Sequence, residues 1–133
     1  MRELRTDRLR LRPIAESDVD VWVGLRGDSR TRVYSRSGVP VPPEQARQEL
    51  LAACASWREL GYGHWVISDG ADNFLGVIVV VAGVDAEPEL GWIIVPEAWG
   101  QGIAAEAAEM LIASSAIFGM MPAAGRPSFE QVA

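Results

Sequence analysis

Residues 90–106 read LGWIIVPEAWGQGIAAE, an apolar run followed by a glycine-rich turn and then by helix-forming residues. The apolar run is typical of a buried strand, and the residues after the turn have the spacing of an amphipathic helix. The first N–H groups of a helix have no partner within it and lie at the positive end of its dipole. Because glycines let a diphosphate approach the backbone closely, the stretch predicts an anion site made of main chain. The alternative is a tight turn in which glycine only relieves crowding.

The segments on either side of this stretch predict the rest of the fold. Alternating and β-branched runs predict strands, and apolar residues at helical spacing predict helices. The predicted strands span residues 9–12, 64–68, 74–84 and 89–95, and the predicted helices span residues 17–27, 43–60 and 102–118. Ser17 is expected to cap the first helix, Pro43 to start the second and Gly61 to end it. The order βααβββα indicates an α+β fold with a mixed, largely antiparallel sheet flanked by helices.

The composition is that of a single globular domain, which we expect over residues 1–121, followed by an irregular tail over 122–133. The longest apolar run, residues 77–82, is far shorter than the ~20 residues that span a bilayer. Residues 1–12 also lack the apolar block of a signal peptide, so a cytoplasmic protein without membrane contact is expected. The net charge of −6 argues against nucleic-acid binding and favours a cationic partner.

Cysteine and histidine are scarce, which limits the chemistry. Cys54 is the one cysteine and lies on an apolar helical face, so it is interpreted as a core thiol. His64 is the one histidine and stands at the start of a predicted strand, where a structural role is expected. This composition predicts no metal site and argues against a Ser-His-Asp triad.

Five short segments, in their order and spacing, resemble the GNAT superfamily of acetyltransferases, in particular its RimJ/RimL type, the ribosomal-protein N-acetyltransferases. The segments are LRTDRLRLR at 4–12, GHWVI at 63–67, FLG at 74–76, ELGW at 89–92 and WGQGIAAEA at 99–107. The resemblance covers residues 3–121. It implies a GNAT-like sheet and transfer of an acetyl group from acetyl-coenzyme A to a primary amine, which attacks the thioester directly. No metal is implied.

The resemblance also implies roles for individual residues. The family's coenzyme A loop falls on WGQGIA at 99–104, so the amides of the following residues are expected to contact the pyrophosphate: Gly100, Gln101, Gly102, Ile103, Ala104 and Ala105. The strand edge formed by Ile93, Ile94 and Val95 is expected to pair with the pantetheine arm. Glu89 matches a proposed general base, and the N–H of Ile94 is a candidate donor to the oxyanion.

The family continues beyond its third helix with further strands, and residues 122–133 carry no matching pattern. We therefore expect the chain to lack the family's C-terminal strands and to be truncated relative to its relatives. The sheet would then have an unpaired edge beside the cofactor strand, and such edges are commonly covered by another chain. A homo-oligomer that covers this edge is expected.

Two other functions are compatible with the sequence. A catalytically impaired relative would act as a coenzyme A-binding or protein-interaction module. A dinucleotide-binding domain is a more remote alternative, because Gly100, Gly102 and Ala105 fit G-x-G-x-x-G/A after a strand. That pattern also requires an acidic residue ~20 positions later after a second strand, and position 122 is proline. Protein N-termini, aminoglycosides, polyamines and small metabolite amines are all compatible acceptors.

Overall fold

The computed structural model describes residues 3–35, 37–82, 88–114 and 128–130, which form one six-stranded sheet with helices on both faces. The strands follow one another across the sheet in chain order: β1 (Leu4–Arg5), β2 (Leu9–Pro13), β3 (His64–Asp69), β4 (Phe74–Ala82), β5 (Pro88–Ile94) and β6 (Ser128–Glu130). Neighbouring strands are antiparallel except for β5 and β6, which are parallel. The predicted mixed, largely antiparallel α+β fold is confirmed.

In the described part of the chain, three helices accompany the sheet: α1 (Val19–Gly27), α2 (Pro43–Leu60) and α3 (Ile103–Ala113). Helix α2 has the predicted bounds because local signals determine both ends. Pro43 occupies the first turn, and Gly61 follows the last turn in the left-handed conformation at φ 76°. Short 3₁₀ turns lie at Glu16–Asp18, Ser29–Tyr34 and Pro96–Ala98. None of the helices in the described ranges is long and apolar enough to cross a bilayer.

Two predicted helix ends are wrong. Ser17 does not cap α1 but lies inside the 3₁₀ turn that precedes it. The carboxylate of Asp18 instead accepts the Ala15 N–H at 2.8 Å and pairs with Arg12 at 2.7 Å, which holds the entry to the helix. Helix α3 ends at Ala113, because Ser114 is already extended at φ −76° and ψ 162°. The remaining residues of the predicted helix, 115–118, lie outside the described residues.

The sheet separates two apolar cores. Leu90, Trp92 and Ile94 of β5 are buried on the face that packs against α3. The opposite face contacts α1 and α2, and Ile93 packs there in a half-buried position. Cys54 is buried in this second core, as predicted. Because successive side chains of a strand alternate between faces, β5 borders both cores at once.

Close contact between β4 and β5 depends on Gly76. A Cβ atom at this position would lie 2.4 Å from the carbonyl oxygen of Ile93, and the φ of Gly76 is 155°. Real Cβ atoms do not approach a backbone oxygen so closely, so only glycine fits without a shift of the strand. Gly76 therefore fixes the position of β5 beside the site described below.

The tail contains the short strand β6, so the prediction of an irregular tail is wrong at Ser128–Glu130. The other tail residues, 122–127 and 131–133, lie outside the described residues. Strand β6 pairs with Glu89, Leu90 and Gly91. This part of the β5 edge, which we expected a second copy to cover, is thus covered by the chain itself. The homo-oligomer stays a prediction.

Candidate functional site

The turn between β5 and α3 is built around two left-handed glycines. Gly100 has a φ of 79°, and Gly102, the residue that precedes α3, has a φ of 72°. No side chain caps the helix. Its hydrogen-bond ladder begins with the Glu106 N–H, which donates to the Gly102 carbonyl at 3.0 Å. The N–H groups of residues 103–105 precede that bond and therefore have no partner within the helix.

A groove of about 540 Å³ lies over this turn. Its wall includes Trp92 and Ile94 of β5, the side chains of Ala98 and Trp99, and the first turn of α3. Six of the predicted cofactor-binding residues line the groove: Ile94, Gly100, Gly102, Ile103, Ala104 and Ala105. The strand edge and the helix N-terminus thus meet in one concave surface, although cofactor binding by these residues stays a prediction.

Val95 was predicted to pair with the pantetheine arm, but both of its main-chain groups are already hydrogen-bonded within the protein. Its N–H donates to the Leu75 carbonyl at 2.9 Å, and its carbonyl accepts the Ala98 N–H at 2.9 Å. Main-chain groups in an antiparallel pair alternate between the two sides of a strand, so Ile93 also faces β4. The same alternation directs the main chain of Ile94 away from β4. Of the three predicted residues, Ile94 alone presents its main chain to the outer edge.

Trp99 ties the turn to the strand. Its indole N–H donates to the Ile94 carbonyl at 2.8 Å. This bond satisfies the outward carbonyl of Ile94 and leaves the N–H of the same residue on the outer side of β5. The sequence analysis noted Trp99 as part of the family pattern but did not predict this contact.

The N-terminal segment holds the turn from the other side, which the sequence analysis missed. Arg8 donates to the Gln101 carbonyl at 2.6 Å and pairs with Glu106 at 2.7 Å. Thr6 also donates to the Glu106 carboxylate. These bonds from Thr6 and Arg8 hold the pKa of Glu106 below its ordinary value. Glu106 therefore stays ionised, and Arg8 compensates its negative charge next to the groove.

The structure does not bring Glu89 and Ile94 together. They lie on the same strand, five residues apart, which corresponds to about 17 Å at the usual rise per residue. Glu89 is half-buried, and by alternation its side chain lies on the face opposite to Leu90. A carboxylate at that distance does not contact an oxyanion bound at the Ile94 N–H.

A second cavity, of about 590 Å³, lies on the opposite face between α1, α2 and the sheet. Trp22 and His64 line it, and their rings meet edge to face at 5.7 Å. The ion pair of Arg26 and Glu49, at 2.9 Å, forms another part of its wall. Burial is the main cause that lowers the pKa of His64 to about 4, so the ring is neutral at pH 7. The sequence analysis predicted only a structural role for His64. It did not predict that the ring lines a cavity.

The described residues contain no cluster of three or more His, Cys, Asp or Glu that could hold a metal ion. The polar groups of the two cavities are main-chain N–H groups, indole and imidazole nitrogens, the hydroxyls of Ser56 and Tyr62, the carboxylate of Glu109 and one ion pair. The Ser56 hydroxyl donates to the Tyr62 carbonyl. These are groups that bind and orient, and none of them is an obvious nucleophile.

The sheet, the turn and the groove together define an acetyltransferase fold. A family model described as an acetyltransferase (GNAT) domain matches residues 8–119. This match covers most of the sequence, and the chain therefore belongs to the GNAT acetyltransferase family, whose members are N-acetyltransferases. Membership also places residues 99–107 in the GNAT pattern rather than in a dinucleotide-binding fingerprint.

Solved acetyltransferase structures are similar to this one. The acetyltransferase from Agrobacterium tumefaciens strain C58 is 28% identical, with a TM-score of 0.73 over 90% of this chain and 70% of that one. An enzyme from Salmonella typhimurium that modifies the N-terminal serine of ribosomal protein L7/L12 is 18% identical, with a TM-score of 0.70 over 90% and 71%. A RimL acetyltransferase in complex with coenzyme A is 17% identical, with a TM-score of 0.70 over 90% and 71%. At such low identity, the last two share the fold.

Proposed function

We propose that this chain transfers an acetyl group from acetyl-coenzyme A to a primary amine by direct attack on the thioester. One observation carries the proposal: the N–H groups of Ile103, Ala104 and Ala105 and the outer edge of β5 at Ile94 border the same groove. A helix N-terminus suits a diphosphate, and a strand edge suits an extended amide-containing arm. Acetyl-coenzyme A contains both groups in sequence.

The Ile94 N–H is the proposed donor at the reacting carbonyl. It lies on the outer side of β5, and the Trp99 bond to the Ile94 carbonyl fixes the orientation of that peptide group. During attack the C–N bond forms, the C–S bond breaks and negative charge develops on the thioester oxygen. A fixed N–H stabilises this charge more than it stabilises the ground state. The thiolate released takes up a proton, and no covalent bond to the enzyme is needed.

The amine must lose a proton before or during the attack. Glu89 stays our proposed base, but about 17 Å of strand between it and Ile94 excludes direct transfer at the oxyanion site. The proton would therefore pass from the amine to Glu89 through water. The proposed binding of acetyl-coenzyme A does not depend on this proton transfer.

The acceptor is proposed to be a cationic amine, because the chain carries a net charge of −6. The proposed location of the reaction is the cytoplasm. Three of the similar structures are named as enzymes that acetylate the N-terminus of ribosomal protein L7/L12. A protein N-terminus is therefore one of the amines to test beside small molecules.

Calorimetry and a thiol-release assay test the proposal together. We expect coenzyme A to bind and a panel of amines to release free thiol from acetyl-coenzyme A. Binding without thiol release from any amine would favour a catalytically impaired coenzyme A-binding module. Absence of binding would favour a protein-interaction module, and binding of NAD in place of coenzyme A would favour the dinucleotide alternative.

Arg8→Gln should weaken coenzyme A binding about fivefold, the effect of one charge-assisted contact near ~1 kcal/mol. The variant removes the hydrogen bond to the Gln101 carbonyl. It also leaves the negative charge of Glu106 without its Arg8 partner beside the proposed diphosphate site. Calorimetry measures the change. Arg10→Gln is the matched control, since Arg10 lies two residues further along the chain, in β2, and pairs with Glu3 and Asp72 away from the turn. Equal affinities of the two variants would contradict the role of Arg8.

A further inference from the structure

The two outward main-chain groups of Ile94 differ in what they contact. The carbonyl oxygen accepts the Trp99 indole N–H at 2.8 Å, whereas β6 pairs only with residues 89–91 and ends before it reaches the Ile94 N–H. Trp99 is 40% exposed and lines the groove, so a ligand in the groove reaches its ring. A half-exposed side chain therefore occupies a strand-edge oxygen within the proposed cofactor site.

The acetyl end of acetyl-coenzyme A has the hydrogen-bonding pattern of a strand residue. When a parallel strand is added to a sheet edge, an outward N–H donates to a peptide carbonyl of the new strand, and the C=O of the same residue accepts the N–H of the next peptide group. The atoms N, Cα and C separate that carbonyl carbon from that nitrogen. In acetyl-coenzyme A, the sulfur and a pair of methylene carbons separate the thioester carbonyl carbon from the first amide nitrogen. The spacing of acceptor and donor is thus the same.

The direction of the cofactor arm agrees with this pairing. Its diphosphate is proposed to lie at residues 103–105, which follow β5 in the chain, so the arm runs from thioester to diphosphate in the N-to-C direction of β5. With the thioester oxygen at the Ile94 N–H, the first amide N–H of the arm lies beside the Ile94 carbonyl. The Trp99 indole N–H and this amide N–H therefore compete for one oxygen atom.

We propose that Trp99 is a latch on the cofactor site and that the arm of acetyl-coenzyme A opens it. The inference rests on the proposed function. Without cofactor, the indole holds the Ile94 carbonyl. On binding, the first amide N–H of the arm takes its place and the indole N–H turns to solvent. The Ile94 peptide group stays fixed, because one N–H donor replaces another. Opening the latch lowers the affinity for coenzyme A, since the indole–carbonyl bond is given up.

Trp99→Phe tests the latch, because it removes the indole N–H and keeps an aromatic ring at an exposed position. We expect coenzyme A to bind the variant about fivefold more tightly, since no hydrogen bond has to be broken. Adenosine 3′-phosphate 5′-diphosphate, which has the diphosphate but no arm, should bind both proteins equally. Calorimetry measures both ligands. Equal or weaker binding of coenzyme A by the variant would overturn the latch, because removal of a merely supporting contact does not raise affinity.

Trp57→Phe is the matched control. The Trp57 indole N–H also donates to a main-chain carbonyl, that of His64 at 2.7 Å. Its ring meets Trp65 edge to face at 5.1 Å, outside the set of residues that line the groove. We expect this variant to bind coenzyme A with unchanged affinity, and urea unfolding confirms that both variants are folded. Tighter binding by both variants would attribute the gain to a general loosening of the fold and would overturn the latch.

An NMR measurement follows the exchange of partners in the wild-type chain. The chain has five tryptophans, and comparison with Trp99→Phe identifies the indole N–H signal of Trp99. We expect this proton to exchange with water faster when coenzyme A saturates the chain than in its absence. A carbonyl oxygen has two lone pairs, so the indole and the arm could also share it. Exchange that stays as slow in the complex would show that the indole keeps its bond and would overturn the latch.

These measurements separate the latch from the proposed function. If coenzyme A binds the wild-type chain and binds Trp99→Phe no more tightly, the cofactor site stands and the latch is overturned. If coenzyme A binds Trp99→Phe alone, the latch is supported, because the indole then keeps the site closed in the wild-type chain. Absence of binding by both proteins would contradict the proposed function and overturn the latch with it.

Discussion

Ala105→Glu should weaken coenzyme A binding about 100-fold, or about 3 kcal/mol, without loss of the fold. Ala105 is the third residue of α3, is exposed and lines the groove. Glutamate at this position of a helix is favourable, because it complements the helix dipole and can bond the free N–H groups of the first turn. The same carboxylate occupies the positive end of the helix and repels a diphosphate, so affinity falls while helix stability is kept.

Ala105→Gln is the matched control, with the same size and no charge. We expect it to retain most of the affinity, since sterics alone at an exposed position cost little. Calorimetry with coenzyme A measures affinity, and urea unfolding confirms that all three proteins are folded. If the glutamate and glutamine variants bind equally well, the N–H groups of residues 103–105 do not contact the diphosphate, and the proposed function loses its main support.

Features encoded locally were predictable from the sequence. Pro43 and Gly61 delimit α2 because each residue imposes its own backbone geometry. Gly100 and Gly102 stand in the left-handed conformation that the turn into α3 requires. The apolar run before them is β5, displaced by one residue from the predicted bounds. These signals suffice to place a strand edge and a helix N-terminus on either side of one turn.

Features that depend on strand register or on long-range packing were not predictable. The Val95 N–H is occupied because β4 aligns Leu75 with it, and no pattern within residues 89–95 determines that alignment. Arg8 contacts Gln101 across 93 positions of sequence, and its motif gave no indication of its partner. The pairing of β6 with Glu89 likewise depends on where the tail returns to the sheet.

The cavity between α1, α2 and the sheet was missed for a related reason. Trp22 and His64 are far apart in sequence, and each matches an ordinary core pattern taken alone. A scarce histidine at a strand start is weak evidence for any role. Only the fold shows that α1 brings the Trp22 indole against the His64 ring. Among the described residues, neither the indole nitrogen of Trp22 nor Nδ1 of His64 has a hydrogen-bond partner.

His64 should make the folded chain about 3 kcal/mol less stable as pH falls from 6.5 to about 4. Burial is the largest cause that lowers the pKa of its ring; the nearby Arg26 lowers it further, and Glu49 opposes the shift. In this window the unfolded chain takes up a proton that the folded chain excludes, so acid favours unfolding. Above pH 6.5 both states are neutral at His64 and the effect vanishes. The free energy of urea unfolding, measured across the window, gives the slope.

His64→Gln isolates this contribution, because glutamine does not titrate while the carboxylates of both proteins still do. The difference in unfolding free energy between the two proteins should therefore shift by about 3 kcal/mol between pH 6.5 and about 4, whatever the absolute stability of the variant. The chain has one histidine, so a single imidazole NMR signal reports its pKa in the folded state. A midpoint near the ordinary 6.5, or parallel stability profiles, would mean that water reaches the ring and that the cavity beside Trp22 is not desolvated.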